Sequence, residues 1–114
     1  MNKTMEETIN VAKQFSKYPG GRFLDDGDES GQRFRDEMLA PALKRASRVV
    51  VQLDGTLGYG SSFLEEAFGG LVREAGFNSE TLKKSLVLKT DNEVLSYNIF
   101  RYIDEADARA KILV

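Results

Sequence analysis

The residues best placed to do chemistry are concentrated in one short stretch, Gly58-Tyr59-Gly60-Ser61-Ser62, with Glu65 and Glu66 just beyond it. Two adjacent hydroxyls opening a helix can accept a phosphoryl group, because a phosphoserine there gains from the helix dipole and from unpaired backbone N–H groups. The same hydroxyls can simply cap. Ser62-x-x-Glu65 has capping-box spacing, which accounts for Ser62 and leaves Ser61 as the better switch candidate. A glycine-rich turn before a helix can also cradle a phosphate-bearing ligand, but the lysine and spacing of a P-loop are missing. Tyr59 suits a contact surface if exposed and a gap in the core if not. Glu65 and Glu66 are neighbours, so on a helix they diverge by about 100° and read as two exposed carboxylates, not an acid–base pair.

Two other groups invite a chemical reading. Asp26, Asp28, Ser30, Gly31 and Glu37 fall at the spacing of a calcium-binding EF-hand loop. Pro19-Gly20-Gly21 leaves no entering helix, so a solvated loop without a metal is expected. Arg22, Arg33 and Arg35 form a small basic group that neighbouring acids should neutralise.

The 114 residues include no cysteine and no histidine. Thiol nucleophiles, zinc thiolate sites and the Ser-His-Asp triad are thereby excluded. The usual general base is absent, so a non-enzymatic protein without a cofactor is expected. Sixteen basic and 18 acidic residues give a net charge of -2, which offers nothing to a nucleic acid or an anionic membrane. No apolar run approaches the roughly 20 residues of a membrane span. The polar start, Met1 to Glu7, is not a secretory signal. A soluble cytoplasmic protein is expected, folded as one domain over 1–114, with 1–6 and 110–114 as flexible ends.

Alternating segment types predict an α/β domain with a mixed sheet of about four strands and helices against it. Strands are expected at 8–12, at 22–24 (antiparallel to the first), at 48–54 and at 86–88. Val49-Val50-Val51 marks the third as the central strand, covered on both faces. Ser30 is expected to cap a helix carrying Phe34, Met38, Leu39, Ala42 and Leu43, which Pro41 should kink or divide. A second helix is expected from Ser62 to Ala75. Its Gly69 and Gly70 are read as allowing close packing on the sheet. Gly76 follows as a C-cap. Ser79 is expected to cap a short helix, and Thr90 with Glu93 a last one with Leu95, Ile99, Tyr102, Ile103 and Ala106 inward. The apolar end Ile112-Leu113-Val114 either packs on the core or meets a partner.

A strand ending in Asp54-Gly55, then a loop that delivers Ser61-Ser62 to a helix, resembles the STAS fold of anti-sigma-factor antagonists and sulfate-transporter tails. The resemblance is closer to a bacterial STAS-like family of uncharacterised function. It rests on Gly21-Arg22, Phe34-Arg35 with Pro41-Ala42-Leu43, and the ten residues Gly60 to Gly69, and spans roughly 18–105. Gly60 stands where the phosphorylated STAS proteins have an aspartate, and Phe63 where they have a glycine. The resemblance implies a regulatory protein-interaction module switched by serine phosphorylation. Its partner would carry a histidine-kinase-like ATPase domain and meet the loop and helix at Tyr59, Gly60, Ser61, Ser62 and Glu65. The alternative is a small-molecule or nucleotide sensor using the same loop.

Overall fold

A computed structural model describes residues 4–112. Three strands, β1 (Thr4–Asn10), β2 (Ala46–Gln52) and β3 (Leu86–Lys89), form one sheet in that order, all parallel. The helices are α1 over residues 31–45, α2 over 61–73, α3 (Ser79–Ser85) and α4 (Glu93–Ile112).

The expected fourth strand, 22–24, does not form. Leu24–Asp26 is a 3-10 turn, and the two residues before it, Arg22 and Phe23, donate their N–H groups to the Asp26 carboxylate at 3.1 and 2.8 Å. Gly21, at φ +89°, turns the chain so that its carbonyl accepts from Gly31 N–H. With that segment closed on itself, the sheet has three strands and no antiparallel member. The EF-hand candidates are engaged elsewhere: Asp26 in this turn and Glu37 with Arg33 at 3.2 Å. Among the described residues, no group of three or more potential ligands could hold a metal.

β1 (Thr4–Asn10) is described from four residues before the strand expected at 8–12, and it ends two residues before that strand would, where Asn10 caps a single helical turn, Val11–Gln14. Ser30 caps α1 as expected, accepting from Arg33 N–H at 3.2 Å. Pro41 does not divide α1, which is helical without interruption from 31 to 45. The five residues Arg35–Leu39 wind as a π-turn, and Ala40 N–H reaches back to the Arg35 carbonyl. α2 repeats the device: Ser61–Leu64, a π-turn at Glu65–Gly69, then Gly70–Arg73. The two helices cross so closely that a Cβ on Gly31 would collide with the Phe63 carbonyl.

α3 is capped by Asn78, which accepts from Thr81 N–H at 2.8 Å, and not by Ser79. Ser79 instead donates its hydroxyl to Asp104. At the start of α4, Asn92 accepts from Leu95 N–H at 3.1 Å, so Thr90 does not cap either. Gly76, at φ +81°, closes the end of α2 while Phe77 N–H returns to the Leu71 carbonyl.

Glu7, Ile9, Val49, Val51, Leu86 and Leu88 share one sheet face by register. All but Glu7 join the apolar core with Phe34, Phe63, Phe68, Leu71, Ile99 and Ile103. The opposite face is not a second core. Val50 is buried there, but outside the apolar cluster, between the Glu6–Arg48 pair and the row Asn10, Gln52, Lys89. The valine run therefore marks the central strand without the second covering layer that it suggested. Ile112 is exposed, and Leu113 and Val114 lie outside the described residues.

Candidate functional site

The loop from β2 to α2 is fixed at several points. Leu53 N–H bonds to the Lys89 carbonyl, and Leu57 N–H to the Lys17 carbonyl, both at 2.9 Å. Gly55 and Gly58 hold φ of +99° and +131°, which only glycine adopts without strain. The Asp54 carboxylate accepts from the Thr90 hydroxyl at 2.7 Å and from Asp91 N–H at 3.1 Å, joining the loops after β2 and β3. Between these loops lies a depression of about 260 Å³ at the carboxyl ends of the strands.

Tyr59 is half-buried. Its hydroxyl donates to the Leu53 carbonyl at 2.7 Å and its ring lies 5.9 Å from that of Phe63. Burial pushes the phenol up to about 12. The Tyr59 ring packs against the core while part of it stays at the surface.

Gly60, in extended conformation, is the N-cap of α2, so Ser61 and Ser62 occupy its first two positions. No side chain caps this helix, and both serines are exposed. The expected Ser62–Glu65 capping box is absent. The helix starts earlier than that box requires, and Glu65 points elsewhere. Tyr59 to Ser62 form one corner of the molecule; Glu65 belongs to another cluster.

That second cluster is the feature that the sequence reading missed. Glu65 accepts from Arg22 Nη1 at 2.6 Å and from both Nη atoms of Arg73 at 2.6 and 3.0 Å. Glu66 accepts from Arg35 Nη1 at 2.6 Å, and its carbonyl accepts from the same nitrogen at 3.0 Å. Arg22 and Arg73 reach Glu66 as well, at 3.2 and 3.3 Å. Arg35 and Glu66 are both buried, 3% and 4% exposed. The two acids are therefore not the exposed helix carboxylates expected. Burial alone would raise the Glu65 carboxyl, but the hydrogen bonds from Arg73 and Arg22 outweigh it and hold it below its ordinary value.

Gly69 and Gly70 make room for this cluster and not for the sheet. A Cβ on Gly70 would collide with the Arg35 guanidinium, and one on Gly69 would lie 2.5 Å from the Glu65 carboxylate. A usable signal was present: one arginine beside the apolar stripe of α1, one glutamate beside that of α2, and two adjacent glycines four residues on. A groove of about 540 Å³ runs beside the cluster, with Arg22, Arg73, Phe23 and Tyr102 in its wall. Of the basic group, Arg22 and Arg35 enter the cluster, whereas Arg33 pairs with Glu37 and lies 5.5 Å over the Phe15 ring.

Among the described residues, no helix is long and apolar enough to cross a membrane. A family model described as a STAS-like domain of unknown function matches residues 30–95, from the cap of α1 into the first turn of α4. No curated protein and no solved structure matches the chain.

Proposed function

Since the chain belongs to the family of STAS-like domains of unknown function, we propose that it is a non-enzymatic regulatory module of the cytoplasm that binds a protein partner through the Tyr59–Ser62 corner. Phosphorylation of a serine there is the switch, and the partner is a protein with a histidine-kinase-like ATPase domain. The observation that carries this reading is the state of Ser61 and Ser62: both are exposed at the start of α2, and neither is engaged as a cap. A phosphate on Ser61 would meet the free N–H groups and positive end of the helix, so the fold tolerates it while the surface gains roughly -1.5 to -2 charges.

A nucleotide sensor is supported less well. The depression at the strand ends presents the Asp54 carboxylate, which repels phosphate.

The test is a binding titration against proteins with a histidine-kinase-like ATPase domain from the same source, with parent, Ser61→Ala and Ser61→Glu proteins. Ser61→Ala should bind as the parent does, and Ser61→Glu at least tenfold more weakly with an unchanged melting curve. Equal binding by the parent and both variants would remove the switch, and no binding by any would remove the partner.

A further inference from the structure

The outer side of α4 carries a stripe that the fold leaves exposed. Its inner side buries Ile99, Ile103 and Ala106. Turned away from these, at three- or four-residue steps, stand Val94, Tyr97, Arg101, Asp104, Ala108 and Ile112. All six are exposed; Val94, Tyr97 and Ile112 are 66%, 68% and 81% so. This is the spacing of a helix–helix seam. A mostly apolar groove of about 530 Å³ lies along it, between α4 and Lys83 of α3.

The order of residues along this stripe is complementary to its own reversal. Laid antiparallel on a second copy, with the two-fold axis between Arg101 and Asp104, each Arg101 faces the Asp104 of the other copy. Tyr97 then faces Ala108, a large side chain over a small one, and Val94 comes level with Lys111, one residue short of Ile112. Both charged groups keep capacity for a second partner. Arg101 uses only one nitrogen, on Glu105 at 3.1 Å. Asp104 uses one carboxylate oxygen, for Ser79 and Lys83. Their side chains are 43% and 48% exposed. A two-fold interface requires such a self-complementary patch, because every contact in it occurs twice.

We propose that α4 is a self-association surface, pairing antiparallel with the same helix of a second copy through reciprocal Arg101–Asp104 contacts. The surface is independent of the Tyr59–Ser62 corner.

Sedimentation equilibrium of the full chain over a concentration series tests it. The parent mass should rise towards twice that of the monomer. Tyr97→Asp and Ala108→Asp, which touch no internal network, should each stay monomeric with the parent's melting curve. Arg101→Glu places acid against acid, and Asp104→Arg places base against base. Each alone should weaken association at least tenfold, and an equimolar mixture of the two should recover it as a heterodimer. A parent monomeric throughout would overturn the proposal. So would Tyr97→Asp or Ala108→Asp associating as the parent does, or a mixture no tighter than its components. If Asp104→Arg fails to fold through its loss of the Ser79 contact, the Tyr97 and Ala108 variants still decide the matter.

Discussion

Ser62 and Tyr59 show how far a residue type is from a role. Ser62 has the spacing of a cap, yet the cap is Gly60, because both arginines beside Glu65 compete for the carboxylate that the box would need. Charge-assisted bonds to guanidinium are about twice as strong as neutral ones, so the competition is uneven. Ser62→Ala is therefore expected to change stability by no more than about 0.5 kcal/mol, as for an ordinary surface site, and a melting curve checks it. Ser30 and Asn78 cap as their types suggest, since no charged neighbour claims the groups that they bond. Tyr59, with a phenol near 12 against an ordinary 10.0, should ionise last in an ultraviolet titration of the folded protein. Because the folded value is raised, its contribution to stability is complete below pH 10 and is lost as pH rises towards 12.

Among the elements, α1 and α2 matter most, joined by Arg35 and Glu66 at their two π-turns. Removing one partner of a buried ion pair strands the other, so Arg35→Met should cost about 3–5 kcal/mol. Arg35→Met with Glu66→Leu should recover much of that loss, and denaturant midpoints of the single and double variants measure the difference. Glu65 supplies the pH dependence. Its folded value is depressed below 4.5, so its stabilisation is complete above that pH and is lost as pH falls through the depressed value. Acid unfolding of the parent should steepen there, and Glu65→Gln should flatten it. The helices themselves were legible, because Phe34, Leu39, Leu43 and Phe63, Ala67, Leu71 keep a helical period. The π-turns were not: one extra residue per turn barely disturbs that period over so short a run. Nor was the false strand at 22–24 recognisable as such, since only the Asp26 carboxylate, bonding two backbone N–H groups, diverts it into a turn.

The whole molecule is one sheet with its core on a single side. The central position of β2 could be read from its three valines, but their apolar character could not reveal that Val50 faces away from the core. The two neighbours should therefore respond differently. Val51→Ala should cost about 2 kcal/mol or more, from lost burial and the cavity it leaves, and Val50→Ala about 1 kcal/mol or less. Urea midpoints of the two variants compare them. The strand order β1, β2, β3 is also the order of synthesis, and no strand has to slide between two that are already paired. On a ribosome that delivers on the order of 5–20 residues per second, each strand can dock against a neighbour made before it. The Arg35 guanidinium, however, emerges 31 positions ahead of the Glu66 carboxylate that neutralises it. Until α2 follows, the carboxylate at hand for this cation is that of the neighbouring Asp36, 2.9 Å from Arg35 Nε and half-exposed, so the burial of the guanidinium must wait for the second half to be translated.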